Sequence, residues 1–211
     1  MELETLLSVF AHLGARWVFW LLVAMSVAGV AVAFERAAFL LGTRDDVGRL
    51  RADVARLLAR GDVELARRRL EESPAVEARI ARAGLSAGMA GADERMRAEE
   101  QMARLDMEKH LSILGTLGAN APFVGLLGTV IGIIRAFREL EAHGGLVSSG
   151  LLTEVGEALV ATAVGLLVAL PAIAFFNLFQ RVIRARLGRA QALGFEVLAF
   201  LAARADARGA G

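Results

Sequence analysis

Residues 154–177 read E-V-G-E-A-L-V-A-T-A-V-G-L-L-V-A-L-P-A-I-A-F-F-N and carry no charge after Glu157. A helix needs about 20 such residues to cross the hydrocarbon core of a bilayer. At 100° per residue, Ala158, Ala161, Thr162, Gly165, Ala169 and Ala172 fall on one narrow face, while Leu159, Leu166 and Leu170 fall on the other side. Leucine gains nothing by leaving lipid for protein. Helices in a bilayer therefore associate where small residues let backbones approach and where a hydroxyl can bond across. The small face is expected to meet protein or a pore.

The stretch from Leu111 to Ile134 repeats the design. Gly115, Gly118, Pro122, Gly125, Thr129, Gly132 and Ala136 fall on one stripe at helical period, with Thr129 in its middle. This stripe too is expected to meet protein or a pore.

Working outward, 56% of the 211 residues are hydrophobic, and three long uncharged runs place the chain in the membrane class. The absence of cysteine excludes disulfides, thiolate metal sites and a cysteine nucleophile. His12, His110 and His143 are scattered, so neither a metal centre nor a cofactor is expected. Residues 1–15 hold Glu2 and Glu4 but no basic residue, unlike a signal peptide. Leu3, Leu6, Leu7, Phe10 and Leu13 recur at helical spacing, as in an interfacial amphipathic helix on the periplasmic side. The first span is predicted over 16–35, with Trp17 and Trp20 at headgroup level and Glu35-Arg36 closing it.

From 36 to 110 the composition turns to Arg, Ala, Glu and Leu, and 15 of the 24 basic residues lie there. This predicts a cytoplasmic helical domain. Gly61-Asp62 reads as a break and N-cap, Ser73-Pro74 as an N-cap with proline at the first helical position, and Asp93 as the opening of a third helix. With no breaker before Pro122, Asp93 to Arg138 is predicted as one helix of about 70 Å. Arg67-Arg68-Arg69 is flanked by Glu64, Glu71 and Glu72 with no aromatic nearby, so it reads as a solvated helix face and no nucleic-acid partner is expected. The second span is predicted over 111–138, a periplasmic loop over 139–153, a third span over 154–180, and a cytoplasmic helix and tail over 181–211. Arg204 to Gly211 is expected to be disordered. Six basic residues follow the third span and Arg16, Arg135 and Arg138 lie at the other ends, which gives an N-out, C-in, three-span protein.

The fold expectation is an all-α integral membrane protein in which two transmembrane helices extend into a cytoplasmic helical domain. No enzyme constellation accompanies it. G-L-L-G-T-V-I-G lies inside an uncharged span and has no lysine at the phosphate-loop position. Near their midplane the spans hold hydroxyls and no titratable group.

Residues 119–138, A-N-A-P-F-V-G-L-L-G-T-V-I-G-I-I-R-A-F-R, together with 154–177, resemble the membrane core of the MotA/TolQ/ExbB family of proton channel subunits, most closely its TolQ and ExbB branch. Thr129, Thr162, the Glu157-Ala-Leu start of the third span, Pro171 and Asn177 match family positions. Ile131 departs from the family, where many relatives carry Trp. The resemblance implies a homo-oligomeric ring in the inner membrane, a pentamer in ExbB-type relatives, in which neighbouring subunits and a central partner are expected to bury the two small stripes. It also implies a single-span partner of the ExbD or TolR type that carries the proton-binding aspartate. Proton flow would then drive work on the envelope, such as import, envelope maintenance or gliding.

On that reading Thr129, Thr162 and Glu157 line the proton pathway. Gly125, Gly132, Pro122, Gly165, Pro171 and Asn177 shape the spans, Pro171 by a bend and Asn177 by an interhelical hydrogen bond. Two alternatives remain at this level. Each threonine can simply bond back to its i−4 carbonyl, and the chain can be a passive oligomeric scaffold in the bilayer that conducts nothing.

Overall fold

The computed structural model describes residues 16–209, so the expected amphipathic helix over 1–15 lies outside the described residues. Seven helices follow one another: α1 (Arg16–Gly42), α2 (Val47–Ala59), α3 (Val63–Glu71), α4 (Val76–Ala87), α5 (Ala92–Glu108), α6 (Leu111–Ala142) and α7 (Ser149–Gly209). Among the described residues there is no strand. Three helices, α1, α6 and α7, are long and apolar enough to cross a membrane. The all-α, three-span membrane fold expected from the sequence is the fold observed. Two of these helices, α1 and α7, run on past their apolar stretches.

Contacts divide the chain into two units, Met1–Phe34 with His110–Asn177, and Glu35–Lys109 with Leu178–Gly211. The first holds the three apolar helical stretches. Val18 and Leu22 of α1 are fully buried against Ala121 and Ile131 of α6 and Ala169 of α7. The broad apolar side chains point the other way, with Phe123, Phe137, Leu159, Leu167 and Leu170 at more than 60% exposure, as a lipid-facing surface requires. Between α6 and α7 the contacts are made by glycine and alanine. A Cβ placed on Gly125 would sit 2.8 Å from the Ala161 carbonyl oxygen, and one on Gly165 would sit 2.7 Å from that of Ala121. One on Gly132 would sit 2.5 Å from the Ala158 methyl. The two small stripes therefore face each other within one chain, which corrects the expectation that neighbours or a partner bury them. Two backbones that can meet directly gain dispersion contacts that lipid cannot supply.

In the second unit α2 to α5 surround the later part of α7. Leu50, Val54 and Leu58, one turn apart on α2, join Ala66, Leu70, Ala78, Ala81, Leu85, Leu193 and Val197 in one buried cluster. Two buried arginines serve helix ends, where carbonyls lack intrahelical partners. Arg186 of α7 donates to the Leu40 oxygen at 2.5 Å, to the Thr43 oxygen at 3.2 Å and to Thr43 Oγ1 at 2.7 Å, closing the end of α1. Burial pulls the Arg186 guanidinium below its ordinary value, and Glu77 opposes that pull. Arg36 of α1 donates to the Asp106 oxygen at 2.9 Å, near the end of α5. With Arg36 turned inward, α1 passes Glu35-Arg36 and ends at Gly42.

Several sequence expectations are corrected here. Asp93 to Arg138 is not one helix, because α5 ends at Glu108 and His110 adopts a left-handed conformation at φ 61° before α6 begins. Histidine is one of the few residues enriched there. Ser73 does not cap the helix at Pro74. Its hydroxyl accepts from the Ala75 amide at 3.3 Å and donates to Asp45 at 2.5 Å, and α4 starts at Val76. Asp62 occupies the N-cap position of α3 without a side-chain capping bond. Helix α7 continues through Arg204 to Gly209 rather than dissolving. The arginine cluster is paired, Arg67 to Glu64 and Glu71 at 3.7 Å each and Arg69 to Asp53 at 3.4 Å.

Candidate functional site

The seam between α6 and α7 holds two facing hydroxyls, and the glycines explain why they can meet. Gly125 lies one turn before Thr129, and its missing side chain brings the Thr162 Cα to within 3.0 Å of where a Cβ would be. At that separation Thr129 Oγ1 and Thr162 Oγ1 are in hydrogen-bond contact. Thr162 Oγ1 also reaches the Gly125 oxygen at 3.1 Å, and Thr129 Oγ1 reaches the Ala158 oxygen at 3.1 Å. Each hydroxyl thus bonds across the seam. The i−4 bond of Thr129, to its own helix at Gly125, is the longer one at 3.5 Å. Both threonines are half-buried.

Two hydroxyls carry two protons, and each hydroxyl can also accept. If both donated outward, to Gly125 and Ala158, two oxygens in contact would have no proton between them. That leaves two head-to-tail chains. In one, Thr129 donates to Thr162, which donates to the Gly125 oxygen. In the other, Thr162 donates to Thr129, which donates to the Ala158 oxygen. Rotation of both hydroxyls converts one chain into the other, so the pair is a hydrogen-bonded link of reversible polarity.

The other residues singled out by sequence take different places. Gly132 and Gly165 belong to the same seam, against Ala158 and against Gly125. Pro122 and Pro171 lie inside α6 and α7, where each removes one backbone donor. Pro171 lines a cavity of about 80 Å³ with Gly29, Leu114 and Leu117. Glu157 is exposed and lines a cleft of about 210 Å³ with Arg16, Phe19, Trp20 and Ala161, and neither threonine is part of that lining. Asn177 is also exposed, at the end of the third apolar stretch.

Sequence reading passed over one polar pair. Arg135 of α6 meets Glu154 of α7 at 3.0 Å, with side chains 34% and 20% exposed. Glu154, Ala158 and Thr162 are spaced one turn apart, which puts the carboxylate on the threonine's face. The helical angle of Glu154 carried that signal. Its partner on another helix did not show.

The family model described as MotA/TolQ/ExbB proton channel family matches residues 72–192. Among similar proteins, a putative biopolymer transport protein ExbB-like 2 of Helicobacter pylori is 46% identical over 77 residues, 36% of this chain and 51% of that protein. The biopolymer transport protein ExbB of Xanthomonas campestris is 47% identical over 76 residues, covering 36% and 30%. That of Aquifex aeolicus is 39% identical over 82 residues, covering 39% and 55%. The chain thus spans about half or less of the length of the curated relatives it matches. With the family's sequence pattern extending over more than half of its residues, and with three apolar helices around a close-packed glycine seam, the chain belongs to the MotA/TolQ/ExbB proton channel family.

Proposed function

We propose that the chain is a proton-conducting subunit of an inner-membrane energy transducer. It forms a ring, of five copies on the family resemblance, around an ExbD/TolR-like single-span protein that supplies the proton-binding aspartate. Residues 36–110 and the C-terminal segment face the cytoplasm. A field term of about 2.3 kcal/mol per charge per 100 mV gives several protons enough free energy to drive a conformational cycle.

The observation that carries this reading is the Thr129–Thr162 hydroxyl pair bridging the two spans. Neither hydroxyl titrates at working pH, so each serves as a relay for the partner's carboxylate. The scaffold reading needs small faces free to drive oligomerisation, and here those faces are already occupied by each other within one chain.

The test is Thr162→Val in membranes containing both chains. The variant keeps the β-branched shape and removes one hydrogen-bonding group worth about 0.6–2 kcal/mol, so rings assemble. Proton flux is expected to fall at least tenfold. Leu166→Val, on the exposed side, is the control and stays near wild type. Full flux through assembled Thr162→Val rings would remove this residue from the pathway.

A further inference from the structure

The seam has a charged end that the threonine relay leaves unexplained. Glu154 Oε1 is held by Arg135 at 3.0 Å, whereas Glu154 Oε2 is enclosed and accepts no hydrogen bond among the described residues. A carboxylate with one oxygen clamped by a guanidinium and the other buried without a donor is under-satisfied, because ionised carboxylates accept several hydrogen bonds. The free oxygen is an open acceptor. Other charged groups sit nearby. Glu139 of α6 lies beside the start of α7, with its Oε1 at 3.5 Å from Ser148 Oγ and its carboxylate paired to His143 at 3.5 Å. Glu157 lines the separate cleft with Arg16 of α1. Among the described residues Arg135 is thus the cation that meets Glu154 itself, and it comes from the helix that carries Thr129.

We propose that Glu154, positioned by Arg135, is a proton-exchange group at the 139–154 end of the α6–α7 seam. This rests on the proton-conducting reading above. In the step, a hydronium ion gives its proton to Glu154 Oε2. The new O–H bond forms as the hydronium O–H breaks, a water molecule leaves, and the carboxyl becomes neutral. The ion pair with Arg135 loses its Coulombic partner, so the side chain is freed to pass that proton to a second water molecule on the seam side, which restores the carboxylate and its ion pair. The eight residues from Glu154 to Thr162 span about 12 Å of helix, a distance that water has to bridge.

The experiment measures proton flux against pH on the 139–154 side, in proteoliposomes that hold this chain and its single-span partner, with ring assembly followed by native mass spectrometry. Glu154→Gln keeps the shape and is expected to lose at least tenfold in flux while assembling normally. Glu141→Gln, at an exposed position near the same end of α6, is expected to keep both flux and pH profile. The double variant Arg135→Gln/Glu154→Gln separates the roles. It removes both charges together, so a merely structural ion pair predicts recovery of flux, and a proton-exchange group predicts none. Glu154→Asp should restore part of the flux and a pH dependence. Recovery in the double variant, or an unchanged profile in Glu154→Gln, overturns the proposal and leaves the channel reading standing. Silent wild-type proteoliposomes overturn the channel reading and this assignment with it.

Discussion

Thr162 is half-buried among residues that have almost no side chain, and that setting gives its hydroxyl consequence. The two threonines could be picked from sequence because they interrupt stripes of glycine and alanine. Their mutual bond could not, because it depends on the register between two helices separated by a turn, which no single-helix periodicity fixes. The same limit hid Arg135 and Glu154. Ser73 shows a different limit. The Ser-Pro pair reads as a cap, yet the hydroxyl was drawn to Asp45, 28 positions earlier in the chain. That donated bond, the largest cause, holds the Asp45 carboxyl below its ordinary value, with the Asp46 amide and Arg69 adding to it. A depressed carboxylate stabilises the fold above its unfolded pKa, near 3.9, and the contribution fades as pH falls through the lowered value. Ser73→Ala should therefore move the Asp45 titration, followed by carboxyl carbon chemical shift, upward towards the ordinary range. An unmoved midpoint would refute the cause assigned here.

For elements, the contact between α6 and α7 sets the tolerance of each glycine. A methyl group on Gly125 or Gly165 would press on backbone atoms at 2.8 and 2.7 Å, and backbone cannot rotate aside. Gly125→Ala and Gly165→Ala should each push the helices apart and cost about 1–3 kcal/mol, as overpacking does. Gly156, in the same helix α7, has nothing within 4 Å of its Cβ position. Gly156→Ala should be neutral or gain up to about 1 kcal/mol from helix propensity. Thermal unfolding in detergent, followed by circular dichroism, checks the order; equal behaviour of Gly125→Ala and Gly156→Ala would contradict the seam. Helix existence was legible from apolar runs and periodicity, and helix ends were not. The stop at Lys109–His110 uses neither glycine nor proline. Helix α1 runs on to Gly42 with Arg36 facing inward, its guanidinium on a carbonyl of another helix.

Across the whole molecule, the distribution of basic residues predicts which segments share a compartment. The natural chain has no cysteine, so single introduced thiols report cleanly. Ala52→Cys and Ala199→Cys, both at exposed positions, should be protected from an impermeant thiol reagent in intact spheroplasts, and Ser149→Cys should react. Labelling at position 52 from outside would reverse the orientation. Fold class, number of spans and family were all readable from composition and two motifs, because a bilayer leaves so few architectures open. What small stripes bury themselves against was not readable. The packing of α6 on α7 moves the case for a ring away from those stripes and onto family resemblance.

The reversible polarity of the Thr129–Thr162 link has a kinetic consequence. In the proposed relay, a proton arriving at one hydroxyl lets that oxygen pass its own proton to the other hydroxyl, whose proton leaves to the partner's carboxylate, and after the transfer both O–H groups point the opposite way. The link cannot accept another proton from the same side until both have swung back. In a conducting ring such a link acts as a turnstile, admitting one charge and then refusing the next until it resets. Flux would saturate at a rate set by reorientation of two side chains, however steep the gradient became.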